Sequence, residues 1–314
     1  MLPNDISICR ITDVRWHPYD AGMSELQRIA IGRGLTFDVL TAGPSDGVLA
    51  LLLHGFAESF HMWESAIAAL AAAGYRAVAP SQRGYSAGAR PETSEYSNYA
   101  FDHRVTDAIA MVDTFGRPGQ PFHLVGHDWG GSLAWAIADR HPQRLGSLTI
   151  LSRPHPIAFN RALAMPDGEQ ARRSAHHKWF LEPDPVARLL AEDARWLRDR
   201  HRSNGMPAVQ SARHIEVIGN EAAMSGALAW YRARGIHHKP VGPTTVPTLY
   251  IWGDADDTVG RAAADGTAAC VTAPYHFEVM PGGGHYTADQ FPDRVNGLLL
   301  AHLAAHRARP AALP

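Results

Sequence analysis

The chain has 314 residues, 46% of them hydrophobic and 19% charged, which is ordinary for a globular protein and excludes a disordered one. The length allows one large domain or two small ones, each able to bury a sizeable core. A formal net charge of −2 offers no general basic field for nucleic acid, and Cys9 and Cys270 alone cannot form a disulfide framework, so free core thiols are expected.

The first third reads as strands and tight turns. Leu26–Ile31 and Thr36–Leu40 flank Gly32-Arg33-Gly34, which predicts a hairpin. Val48–Leu53 is an unbroken apolar run, the pattern of a strand buried on both faces of a parallel sheet. A helix follows over Trp63–Ala73 and stops at Gly74, and Tyr75–Pro80 is the next strand. The alternation continues with a helix at Ala100–Phe115, a strand at Phe122–Val125, a helix at Gly131–Arg140 and a strand at Leu145–Leu151. From Pro154 to about Val241 no buried strand is apparent, and Arg, His, Trp and helix formers dominate. The rhythm resumes with a strand at Thr248–Trp252, a helical stretch at Gly260–Cys270, a strand at Phe277–Met280 and a helix at Asp289–His306. Alternating buried strands and helices predict an α/β fold with a largely parallel sheet. The break predicts a helical insertion at 154–241 between two core segments, 1–153 and 242–314. The tail Arg307–Pro314 and the extreme N-terminus are expected to fray.

No run approaches the roughly 18 consecutive apolar residues of a membrane helix. The opening MLPNDISICR lacks a basic start followed by an apolar stretch, so no signal peptide and a cytoplasmic location are expected. There is no GxxxxGK[ST] loop and no paired CxxC, so neither a metal nor an organic cofactor is expected.

Three segments carry chemistry, each just beyond a predicted strand, where α/β sheets place their ligands. Gly126-His127-Asp128-Trp129-Gly130 stands between a strand and a helix. A G-x-nucleophile-x-G turn of this kind is a nucleophile elbow, with the central residue projecting at a helix N-terminus that favours an anion. The central residue here is Asp128 rather than serine. Trp252-Gly253-Asp254-Ala255-Asp256-Asp257 offers three carboxylates, any one of which would orient a histidine. Gly282-Gly283-Gly284-His285 puts an imidazole on a pliable loop. Nucleophile, acid and histidine then occur in the chain order of an α/β-hydrolase triad.

From about Leu26 to His306 the chain resembles the α/β-hydrolases of the epoxide hydrolase and haloalkane dehalogenase group. The resemblance is carried by His54-Gly55-Phe56, Gln82-Arg83-Gly84-Tyr85-Ser86, the Asp128 elbow and Trp252-Gly253-x-x-Asp256. It implies an α/β-hydrolase fold with a mostly parallel eight-stranded sheet and a helical cap over the active site. It also implies Asp256 as the triad acid, and an oxyanion hole from the backbone N–H groups of Phe56 and Trp129. Ala229-Trp230-Tyr231-Arg232 is similar to the cap segment that carries a ring-opening tyrosine in epoxide hydrolases, which makes Tyr231 the candidate acid. A second cap segment, His176 to Pro183, has His176 where the family has its other tyrosine. Either His176 substitutes as donor, Trp179 takes part, or Tyr231 acts alone. A histidine donor would make ring opening pH-sensitive near neutrality. The family has proline after the Phe56 position; here it is Ala57, and since a cis bond before a non-proline residue is costly, the turn is expected to differ. Tyr85, Trp63, Phe159 and Trp179 are candidate pocket walls.

An aspartate nucleophile argues against esterase, lipase or peptidase chemistry, because its attack on an acyl group gives an anhydride. It suits a saturated carbon with a strained or good leaving group, giving an alkyl ester that water activated by His285 then hydrolyses. The expected substrate is a small apolar to aromatic molecule, foremost an epoxide. The alternatives are a haloalkane and a homologue that binds a small ligand without turnover. No nucleic-acid or membrane partner is expected, and monomer and homodimer both stay open.

Overall fold

The computed structural model describes residues 8–10, 24–31, 34–166, 168–236 and 239–306. Gly32-Arg33 of the expected hairpin turn, the tail 307–314 and the side chain of Cys9 lie outside the described residues. Nine strands make one sheet: β1 (Ile8–Arg10), β2 (Glu25–Ile31), β3 (Leu35–Ala42), β4 (Leu49–Leu53), β5 (Arg76–Pro80), β6 (Phe122–His127), β7 (Leu145–Leu151), β8 (Thr248–Gly253) and β9 (Tyr275–Met280). Their order is β1-β2-β3-β5-β4-β6-β7-β8-β9. β1, β2, β3 and β5 pair antiparallel in sequence across the sheet, and every pairing from β5 through β9 is parallel. The strands from β2 onward are the expected eight. β1 is a three-residue addition at the edge, antiparallel to β2.

Burial explains why these runs are strands. Every residue of β4, β6 and β8 is buried, because helices cover both faces of the sheet centre. Each large apolar side chain so buried contributes roughly 1.5–3 kcal/mol. On one face Leu52, Ala66, Ile67 and Leu70 pack with Val295, Leu299 and Leu303, joining the helices Glu64–Ala72 and Pro292–Ala305. On the other face Leu51 and Leu53 meet Val105, Met111, Leu133 and Ile137 from Phe101–Phe115 and Asp128–Arg140. The expected C-terminal helix is split into Thr287–Gln290 and Pro292–Ala305. Pro292 has no N–H and disfavours helical geometry at Phe291, which sits at φ −132°, ψ 56°.

Between β7 and β8 the described chain is helical: Pro156–Leu163, Glu169–Arg173, His176–Trp179, Pro185–Ser203, Ala208–Ile218 and Glu221–Arg232. The first of these packs on the sheet layer through Ala162. The helices from His176 onward share an apolar cluster of their own, in which Phe180, Leu189, Leu197, Ile218 and Trp230 meet Phe56 and Tyr85 from the loops after β4 and β5. Pro185–Ser203 is broken at Ala191–Ala194, where Glu192, Asp193 and Ala194 have φ of 51°, 56° and 55°. Glu221–Arg232 docks where Gly84 and Gly226 meet backbone to backbone. A Cβ on Gly226 would stand 2.5 Å from the Gly84 carbonyl oxygen, and the reverse contact would be 2.7 Å. The Trp230 indole N–H reinforces the contact by donating to the Arg83 carbonyl at 2.8 Å. Among the described residues no helix is long and apolar enough to cross a membrane.

Candidate active site

Because β4 to β9 run parallel, their C-terminal ends lie along one edge and present six loops together. Asp128 opens the helix Asp128–Arg140 directly after β6, in the left-handed region at φ 48°. The glycines around it are required by close approach. A Cβ on Gly126 would stand 2.5 Å from the Gly130 carbonyl oxygen, and one on Gly130 would stand 2.2 Å from that of Leu53 in β4. The turn thus closes on itself and on the neighbouring strand. Asp128 Oδ1 accepts the Phe56 N–H at 3.1 Å. The peptide Phe56–Ala57 is cis, contrary to the expectation of an altered turn. Trp129 follows Asp128 in the first turn, where N–H groups have no partner within the helix.

His285 Nε2 lies 3.9 Å from Asp128 Oδ2, and His285 Nδ1 lies 3.1 Å from Asp256 Oδ2. Asp256 is fully buried and anchored, with Oδ1 accepting the N–H groups of Thr258 at 2.7 Å and Val259 at 3.0 Å. The other two carboxylates of that loop turn elsewhere. Asp254 accepts the Gly282 N–H at 2.7 Å, and Asp257 pairs with Arg200 at 3.0 Å. Burial pushes the Asp128 carboxyl up, but His285, His127, Arg153 and the Phe56 N–H outweigh it and hold it below the usual carboxylate range. Burial likewise opposes ionisation of Asp256, and the imidazole of His285, the Ser152 hydroxyl and the Thr258 N–H reverse it.

The helical insertion brings Tyr231 over the elbow. Its ring packs edge-on against Trp129 at 5.1 Å, Phe56 at 5.4 Å and Phe180 at 4.9 Å. Burial, then the Asp128 charge, raise its phenol well above the usual value, so it stays protonated. The Trp129 ring is engaged with Tyr231 through packing. His176 is half-buried, with Nδ1 3.0 Å from the Arg173 carbonyl. A carbonyl only accepts, so Nδ1 carries the proton and Nε2 is bare in the neutral ring. Burial and the Arg200 charge lower His176 to about 4, which removes the expected pH sensitivity near neutrality. The ring contacts of Trp179 are Phe180 and Trp196, each at 5.2 Å, with Arg188 over its face at 4.7 Å. It packs within the insertion. The buried Cys270 is a free thiol, as expected.

Several residues of the site went unselected in the sequence. Ser152, directly after β7 at φ 60°, donates its hydroxyl to Asp256 Oδ2 at 2.5 Å and lies 2.8 Å from His285 Nδ1. The strand-end rule that singled out Asp128 applied equally to it. His127 stands behind Asp128, 2.5 Å from the fully buried Glu58, and its Nε2–H donates to the His285 carbonyl at 2.9 Å. Asn204, from the insertion, accepts the His285 N–H at 2.9 Å. These partners are scattered along the chain and leave no local pattern.

Comparison with known proteins agrees with the fold. Residues 50–292 match the model of the alpha/beta hydrolase fold family. YfhM, an AB hydrolase superfamily protein of Bacillus subtilis, is 32% identical over 278 residues, covering 86% of this chain and 95% of its own. Epoxide hydrolase A of Mycobacterium tuberculosis is 30% identical over 322 residues (88% and 97%), and epoxide hydrolase B of the same organism is 38% identical over 270 residues (78% and 74%). A solved structure of an epoxide hydrolase from metagenomes of hot environments is 29% identical, covers 90% of this chain and 99% of its own, and superposes with a TM-score of 0.76.

Proposed function

Since the chain belongs to the α/β-hydrolase fold family and is an epoxide hydrolase-like enzyme, we propose that it opens an epoxide to a vicinal diol through an alkyl ester on Asp128. The observation that carries this is an ionised carboxylate at the elbow, with Oδ1 held by the Phe56 N–H and Oδ2 facing His285, beneath a protonated phenol. Asp128 Oδ2 attacks an oxirane carbon. The carbon–oxygen bond breaks, and the departing alkoxide takes the proton of Tyr231. His285 Nε2 then removes a proton from water, and the hydroxide adds to Cγ of Asp128. Asp256 keeps Nδ1–H directed inward and offsets the imidazolium charge. The oxygen that becomes negative is Oδ1, which already accepts from Phe56, with the Trp129 N–H as second donor. Collapse releases the diol and restores the carboxylate, with the water oxygen now in Asp128. The imidazolium proton returns to the phenolate.

On this reading residues 1–153 and 242–314 form the core and 154–241 the cap, so that nucleophile and acid come from opposite sides of the substrate. Haloalkane hydrolysis is less well supported. A halide needs N–H donors, and the residue after His54-Gly55 is Phe56, whose side chain has none. The test is a single turnover of phenyl glycidyl ether in ¹⁸O-water. The first diol should carry only ¹⁶O at the new hydroxyl, and ¹⁸O should appear in the peptide holding Asp128. ¹⁸O in the first diol would mean direct attack by water and would sink the proposal.

A further inference from the structure

The rim of the site carries positive charge that no carboxylate answers. Arg153 follows Ser152 at the end of β7 and is fixed at its root. Its carbonyl accepts the Trp135 indole N–H at 3.1 Å, and its Cβ lies against Gly131 in the first turn of the Asp128 helix, where an added Cβ would approach to 2.8 Å. The guanidinium stacks on Phe159 at 4.3 Å, and its Nε is buried with no hydrogen-bond partner among the described residues. Arg83, Arg173 and Arg200 near the site are paired with Asp107, Glu169 and Asp257, and Arg104 is buried between the rings of Trp129 and Trp230. Among the described residues Arg153 and Arg234 make no ion pair. Arg234 donates instead to His177 Nδ1 at 3.0 Å, and the His177 ring lies 5.4 Å from that of Tyr231. The groups that act on Arg153 after its burial are Asp128, Arg234, Tyr231 and Tyr250, so the nucleophile is the sole carboxylate among them. Burial, His176, Arg234 and Arg153 hold His177 neutral, which leaves the arginines as the charges.

We infer that Arg153, assisted by Arg234, forms a subsite for a carboxylate on the substrate, so that the preferred epoxides bear an acidic group alongside an apolar or aromatic body. This rests on the epoxide reading above. A guanidinium fork fits a carboxylate in two parallel hydrogen bonds, and its weak hydration suits a partly buried place on an aromatic face. Asp128 does not fill that role. Its oxygens serve the Phe56 N–H and face His285, and it lies beyond ion-pair distance of Arg153.

The experiment compares 4-(glycidyloxy)benzoate, its N-methyl carboxamide and phenyl glycidyl ether at pH 8. The wild-type enzyme should prefer the carboxylate to the carboxamide by about tenfold in kcat/KM, mostly through KM, with the preference shrinking as salt is added. Arg153→Gln should bring the ratio to about one, Arg153→Lys should restore part of it, and Arg234→Gln should reduce it less. A wild-type ratio of one, or a ratio that Arg153→Gln leaves intact, overturns the inference. If Arg153→Gln does not fold, Arg153→Lys and the exposed Arg234→Gln supply the same reading. Failure of all three epoxides to react would strike the epoxide reading alone. Calorimetric binding of 4-(2,3-dihydroxypropoxy)benzoate then decides the subsite: Kd should be about tenfold weaker in Arg153→Gln than in wild type, and equal values overturn it.

Discussion

The Ser152 hydroxyl donates to Asp256 at 2.5 Å and, through the same oxygen, stands 2.8 Å from His285 Nδ1. The imidazole N–H is thus shared between a carboxylate and a hydroxyl that are themselves hydrogen-bonded. Ser152→Ala should remove a donor from Asp256 and leave a direct acid–imidazole contact. The hydrolytic half-reaction should slow by about fivefold, the worth of one hydrogen bond of about 1 kcal/mol. Ester formation should be unaffected. Pre-steady-state rates of the two half-reactions across pH check this; equal slowing of both would assign Ser152 a purely structural part.

Tyr231→Phe keeps the ring packing against Phe56, Trp129 and Phe180 but removes the phenolic O–H that we propose as proton donor. Ester formation should fall by about 10²–10⁴-fold, the usual contribution of a positioned acid. The thermal midpoint should shift little. Stopped-flow tryptophan fluorescence follows the step directly, and an unchanged rate would move the donor elsewhere.

His176→Phe should leave kcat/KM within about threefold and the pH profile unaltered between about pH 6 and 8. The reason is local: Nδ1–H is given to the Arg173 carbonyl and the ring stays neutral down to about 4. Loss of a limb near neutrality in this variant would show that His176 does transfer a proton.

Seven histidines are kept neutral chiefly by burial. His54, His177 and His201 are lowered to about 3, and His61, His155, His176 and His302 to about 4. Each folded value lies below the unfolded 6.5, so the unfolded chain binds more protons between them. Their stabilisation is present above about pH 6.5 and lost as pH falls toward 4 and then 3. Unfolding free energy from urea titrations should therefore drop between pH 6.5 and 5, with a slope equivalent to at least about four protons. A flat profile over that interval would contradict it.

His127 behaves in the opposite sense. Burial lowers it, but Glu58 at 2.5 Å overrides this and raises it to about 9. Its stabilisation is complete below about pH 6.5 and is lost as pH rises through 9. His127→Gln should cost roughly 1–3 kcal/mol at pH 7, since burial raises Glu58 and lets it take up a proton once His127 is gone, and the double variant with Glu58→Gln should recover part of that. Chemical denaturation of the three proteins decides it.

The sheet and the elbow were legible in the sequence because both are written locally. Burial on two faces makes β4 uniformly apolar and β8 nearly so, and the Gly126 to Gly130 spacing lies within five residues. β1 was missed because three residues carry no period of their own and pair with β2 across the chain. Glu58 and His127 also meet only in the fold, and nothing near either predicts the other. The Phe56–Ala57 bond went against expectation because the trans preference of the dipeptide is a local rule and the fold selects otherwise. Ser152 and Arg153 stand at a strand end as Asp128 does, but no glycine flanks them, and their partners Asp256, His285 and Phe159 meet them only in the fold.

Gly84 and Gly226 also determine how the entrance can vary. The helix bearing Tyr231 rests on the loop after β5 with no side chain between the two backbones, and Trp230 latches it there. A door hung on that helix has no swing. The phenol is then a fixed post, and a substrate must meet it where the two backbones hold it.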